Sequence, residues 1–180
     1  MILYQYRGNI SNNTDVEYFI DLVTKGSIMF SEPSQFNDPF DCCPSQFGWM
    51  PPGTFSHAVT DEMNHQMQKM TSKIVGVFCL TPYPDKMLMW SHYGDQHRSI
   101  CVGFDTDVLL EERPINSEGN PAYNEIRKVT YTVNRPDEND MDAIYKKSEE
   151  WDYEDEYRIV SFASKGNPQW GSGVWNIPKE

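Results

Sequence analysis

The chain has 180 residues, with 27 acidic against 15 basic side chains and a formal charge of −12. That balance disfavours sequence-independent grip on a phosphate backbone, which needs clustered Lys and Arg, and it disfavours adhesion to anionic membranes. Aromatic residues make up 13% of the chain, too many for a disordered polymer. No apolar stretch approaches the roughly 18 residues of a membrane helix, and the start lacks a signal peptide's basic and apolar regions. A cytoplasmic protein of 1–180 forming a single domain is the expectation.

Residues 2–7 (ILYQYR) read as a strand. Thr14 and Glu17 have capping-box spacing. Val16, Phe19, Ile20 and Val23 follow at i, i+3, i+4, i+7, which predicts a helix with that stripe inward. Gly26 suits the position after a helix end. Residues 27–31 read as a second strand, and SEPSQFNDPFDCCP as a long loop. Residues 54–72 read as a polar helix and 74–80 (IVGVFCL) as a buried strand. Asp85 is placed to cap a short helix through MLMWSHY that stops at Gly94. Residues 99–104 (SICVGF) predict a buried strand, followed by a short helix over 105–112 and a loop over 113–124. Residues 126–133 alternate like a half-exposed strand. A polar helix is expected over 137–151, a strand over 156–163, and a short last strand at VWNI. Helices and strands mix irregularly, so the pattern predicts an α+β fold of mixed, mostly antiparallel sheets with flanking short helices.

The four cysteines, Cys42, Cys43, Cys79 and Cys101, lack zinc spacing. Cys79 and Cys101 sit in apolar runs and read as small buried hydrophobes. No glycine-rich phosphate loop and no nucleophile elbow is present. Polar and aromatic residues gather instead in four short clusters. In Tyr4-Gln5-Tyr6-Arg7, strand parity puts the tyrosines on one face, and Arg7 could clamp a phosphate or carboxylate or simply pair with an acid. In Phe36-Asn37-Asp38-Pro39-Phe40, Asn37 and Asp38 either build the turn or touch a ligand. In Met89-Trp90-Ser91-His92-Tyr93, Met89 and Tyr93 share a helical face with Trp90 beside them. His92 is either a general acid/base or a structural hydrogen-bonder. In Trp151-Asp152-Tyr153-Glu154-Asp155-Glu156-Tyr157-Arg158, an extended backbone would turn Glu154, Glu156 and Arg158 one way. Crowded carboxylates raise one another's pKa, and the neighbouring Arg reverses this. No His lies at ligand spacing, so no metal site is assigned.

The order and spacing of these clusters resemble a bacterial and phage family, domain of unknown function 2971. The resemblance is carried by Tyr4 to Arg7, Phe30 to Asp41, Met89 to Phe104, and Lys147 to Arg158. Ser99 stands where the family usually has Gly, and members commonly extend further after the E-x-E-Y-R block, so this chain reads as shortened at the C-terminus. More distantly the layout looks like that of ADP-ribosyltransferases. That likeness implies NAD as cofactor, catalytic roles for Arg7, His92 and Glu156, and ligand contacts from Tyr4, Tyr6, Asn37, Asp38, Trp90, Tyr93, Glu154 and Arg158. The function expected is handling of a nucleotide-like small molecule in phage–host conflict. The alternative is a non-catalytic acidic counter-defence protein that sequesters a nucleotide signal or blocks a host protein partner.

Overall fold

In a computed structural model, residues 1–8, 13–33, 36–38, 41, 75–113, 121, 123–134, 136, 140, 142–162 and 174–176 are described. The expected helix over 54–72, and Cys42 and Cys43, lie outside these residues. Strand β1 (Ile2–Arg7) pairs antiparallel with β4 (Ile100–Asp105), Tyr4 opposite Gly103. Strand β3 (Val75–Leu80) pairs antiparallel with β8 (Tyr157–Phe162), whose other edge takes β5 (Arg127–Lys128). Strand β2 (Ser27–Met29) pairs antiparallel with β9 (Val174–Asn176). Strands β6 (Thr130–Thr132) and β7 (Lys146–Ser148) pair in parallel. Helices α1 (Asn13–Lys25), α2 (Met87–Tyr93) and α3 (Thr106–Glu111) flank these ladders. The fold is α+β, with short helices on mostly antiparallel sheets.

Local chemistry explains most element ends. Gly26 has φ +68°, a conformation that costs other residues, and its N–H closes on Leu22 O at 3.0 Å. Asp105 caps α3 by accepting the Asp107 N–H at 3.0 Å. Helix α2 begins one residue later than expected. Lys86, not Asp85, is its N-cap, and no side chain caps it. The apolar run of β3 is buried along its length save Cys79, which is half-buried. Leu3, Ile28, Phe30, Phe78, Leu80, Phe104, Leu109, Tyr123 and Ile159 form the main core.

Three expectations are corrected. On α1 the Val16/Phe19/Ile20/Val23 stripe faces out, with Ile20 50% and Val23 57% exposed. The helix instead packs through Tyr18, which is buried, and Leu22, which meets the core at i+4. The predicted strand over 126–133 is divided at buried Val129: up to its N–H, which donates to Glu156 O at 2.8 Å, the segment follows β8, and beyond it β6 turns to β7. The helix expected over 137–151 is absent from its described part. A 3-10 turn at Ala143–Tyr145, strand β7 and a 3-10 helix at Glu149–Glu154 stand there. Pairing of β7 with β6 overrides a weak, polar helix signal with no apolar stripe to bury.

Candidate functional site

Strands β1 and β3 meet at one point. Tyr4 and Thr81 exchange both backbone hydrogen bonds, at 2.7 and 2.8 Å, and form an isolated bridge. Four residues back along the chain, Val77 pairs with Ser31 rather than with β1. Strand periodicity then aims the main-chain N–H and C=O of Tyr6 and Cys79 into the wedge left between. A cavity of about 250 Å³ opens there. Its wall carries Tyr4 to Arg7 from β1, Cys79 and Leu80 from β3, Thr81 just beyond, and Met89 and Tyr93 from α2. Asn37, Asp41, Lys147, Glu154 and Glu156 complete its polar lining.

One wall is a buried ionic network. Lys147 Nζ lies 2.6 Å from Glu154 Oε2, 3.3 Å from Glu156 Oε2 and 3.5 Å from Asp41 Oδ2. Arg158, fully buried, grips two carboxylates at once. Its Nε and Nη2 donate to the two Glu156 oxygens at 2.8 and 2.9 Å. Nη1 and Nη2 donate to the two Asp41 oxygens at 2.7 and 2.6 Å. Such two-pronged pairs fix geometry as well as charge.

The two glutamates are thereby driven apart. Burial opposes the Glu156 charge, but Arg158 and Lys147 outweigh it and hold its carboxyl down at about 2. Burial lifts Glu154 above the usual carboxylate range against the pull of Lys147. Tyr93 donates its hydroxyl proton to Glu154 Oε1 at 2.6 Å. Burial, and the Glu154 charge beside it, push the Tyr93 phenol well up. Burial works against the Lys147 charge, yet Glu156 and Glu154 raise it and keep it an ammonium. Burial raises the Cys79 thiol well above its ordinary value, with Glu156 adding to it. Carboxylates separated in this way divide acid and anion roles between them.

Most of the sequence-derived candidates reach this place. Arg7, Tyr4, Tyr6, Asn37, Tyr93, Glu154 and Glu156 line the cavity. Arg158 stands behind the wall, holding Glu156 and Asp41. Glu154 and Glu156 converge by a different route from the extended one expected, since Glu154 ends a 3-10 helix and Asp155 turns left-handed at φ +48°. His92 does not join them. It is exposed on α2, 5.6 Å from the Trp151 ring and 6.4 Å from the Tyr153 ring. Helical spacing explains this, because Met89 and Tyr93 take the inward face. Trp90 also lies off the cavity: its indole N–H goes to Pro84 O at 3.0 Å and its ring meets Tyr6 edge-on at 5.0 Å. Asp38 is buried but is not part of the lining.

Lys147, Asp41 and Cys79 are site residues to which sequence reasoning assigned no role. The first two stood within the quoted motifs. The pairing of Asp41 with Arg158 crosses 117 positions, which no local spacing displays. Residues 89–159 match the family model described as Protein of unknown function (DUF2971). No curated protein and no solved structure matches the chain. The matched segment holds Tyr93, Lys147, Glu154, Glu156 and Arg158, and over that segment the resemblance of this chain to the DUF2971 family is established.

Proposed function

We propose that this chain handles a nucleotide-like small molecule in the β1–β3 cavity, as an enzyme resembling ADP-ribosyltransferases with NAD as its substrate. The observation that supports this most is the convergence of Arg7, from the first strand, with Glu154 and Glu156, from the far end of the chain, on one cavity ringed by Tyr4, Tyr6 and Tyr93. Arg7 suits a phosphate oxygen. NAD, when bound, supplies a ribosyl carbon that becomes positive as nicotinamide leaves. A carboxylate fixed beside that carbon stabilises the charge without reorganising. Glu154 suits this role better than Glu156, because Arg158 and Lys147 both neutralise Glu156, whereas among the described residues Glu154 meets one cation, Lys147, and the neutral Tyr93 hydroxyl. Tyr93 orients Glu154 through its hydroxyl. Incubation with NAD and measurement of free nicotinamide tests the reading. Wild type releases it, and Arg7→Gln, Tyr93→Phe and Glu154→Gln slow the release. Neither release nor calorimetric binding of NAD would refute it.

A second reading is a non-catalytic binder that sequesters a nucleotide signal, or occupies a host defence protein, in phage–host conflict. The saturation of Glu156 by Arg158 and Lys147 favours it, since a spent anion gives little to a growing cation. The charge of −12 supports a cationic protein partner. An intact nucleotide released by heat from the purified protein, seen by mass spectrometry with no turnover of NAD, would favour this reading.

A further inference from the structure

Charge on the cavity wall is sorted by sign along the chain. Arg7 supplies the positive side. Its guanidinium stacks 4.5 Å over the Tyr18 ring and donates to Met29 Sδ at 3.3 Å. Among the described residues, no carboxylate forms a salt bridge with it. Burial works against the charge of this half-buried guanidinium, and the nearby Asp15 carboxylate supports it. The ionic network supplies the negative side, where Asp41, Glu154 and Glu156 meet Lys147 and Arg158 among the described residues. A guest carrying opposite charges at its two ends would match this sorting of the wall.

Size narrows the class further. About 250 Å³ is the liquid volume of about eight water molecules. It falls below the roughly 300–1,000 Å³ of pockets that enclose drug-sized ligands. One sugar-and-ring unit fills such a space, and the other half of a dinucleotide would extend beyond it.

We infer that the cavity takes a single compact zwitterion, its phosphate or carboxylate on Arg7 and its quaternary or protonated nitrogen toward Glu154. The inference rests on the cavity being the ligand site proposed above, and it deepens that reading by excluding the dinucleotide as the unit enclosed.

Titration calorimetry on the full chain tests it with five probes. Nicotinamide mononucleotide carries a pyridinium and a phosphate. Its 1,4-dihydro form keeps the skeleton and loses the cation. Adenosine monophosphate offers the anion alone, NAD the dinucleotide, and glycine betaine a zwitterion that is no nucleotide. The expected order has the oxidised mononucleotide at least tenfold tighter than its dihydro form and than adenosine monophosphate, and no weaker than NAD. Equal binding of oxidised and dihydro forms, or NAD tighter by tenfold, overturns the zwitterion and leaves the nucleotide reading standing. Binding of betaine without any nucleotide keeps the zwitterion and overturns the nucleotide. Silence from all five overturns both. Arg7→Gln and Glu154→Gln should each weaken the oxidised mononucleotide at least tenfold, and Glu154→Gln should also shrink its advantage over the dihydro form. Should either variant fail to fold by circular dichroism, the probe series on the native protein decides alone.

Discussion

Replacing Arg158 by Met removes the group that joins Asp41 to Glu156 and leaves their carboxylates, both buried, with Lys147 as the remaining cation among the described residues. Breaking a buried pair from one side costs about 3–5 kcal/mol, because the orphaned charge stays desolvated. The Glu156 carboxyl gives an independent figure. Its pKa falls from 4.5 to about 2 on folding, and at about 1.4 kcal/mol per unit that is about 3 kcal/mol of stabilisation. A protein of this length loses roughly 2–4 °C of melting temperature per kcal/mol, so the melt should drop by about 6–20 °C. The sign of the pH dependence follows. The folded pKa lies below the unfolded one, so this stabilisation is full above about 4.5 and is lost as pH falls through about 2. The gap between Arg158→Met and wild type should therefore be widest near neutrality and narrow on acidification below about 4.5. Urea unfolding at pH 7 and pH 3.5 measures both. Lys25→Met, which breaks the exposed 2.7 Å pair with Asp21, is the control and should cost under about 1 kcal/mol. A loss below about 1 kcal/mol for Arg158→Met, or one equal at both pH values, would refute the reasoning.

Tyr93→Phe deletes the hydroxyl that donates to Glu154 at 2.6 Å. The Glu154 carboxyl should titrate higher than in wild type, and an unchanged midpoint by carboxyl ¹³C NMR would count against the assignment. At Gly94, a Cβ would lie 2.7 Å from Trp90 O and 2.8 Å from the Trp90 ring. Gly94→Ala should cost about 1–3 kcal/mol by overpacking, and an unmoved thermal melt would show that the turn adapts freely. Ile20, half exposed on the outward stripe of α1, should tolerate Gln within about 0.5 kcal/mol. A loss above about 2 kcal/mol on urea unfolding would show that this stripe is buried after all.

Strands were legible where apolar runs were continuous, as in VGVFCL, because burial on both faces leaves no other use for such a run. Periodicity found α1 but chose the wrong stripe. The helix carries apolar residues on two adjacent faces, and Tyr18 with Leu22 wins only because β2 and the core lie on that side. The segment 137–151 misled for a related reason. Its polar pattern expresses no preference, and pairing of β7 with β6 decides it. At the site, Arg7 and Glu156 were legible as chemically potent groups at element ends. That they share a cavity was not, since it depends on β1 meeting β3 at Tyr4 and Thr81 and then parting. His92 was the most reactive group by its ordinary pKa, yet helical geometry turns it outward.

The ionic network asks for an account that stability does not supply. Five charged side chains lie buried beside the cavity, and apolar residues of similar volume would fold the same wall at no greater cost. What such residues could not provide is a fixed field. Arg158 is held from both sides by carboxylates and from a third by Ile144 O at 2.7 Å, so it cannot swing toward a guest. It stiffens Glu156 and Asp41, and Lys147 ties these in turn to Glu154. Charges locked before a ligand arrives act on it at full strength, because nothing needs to reorient on binding. On the other side, Arg7 rests on Tyr18 at 4.5 Å and carries the opposite sign to the wall that Glu154 and Glu156 line. The opened ladder between Tyr6 and Cys79 completes the set with main-chain donors and acceptors. The burial cost of the network is thus intelligible as the cost of a preorganised, two-signed recess, and the Arg158→Met variant should lose ligand even under conditions where it remains folded.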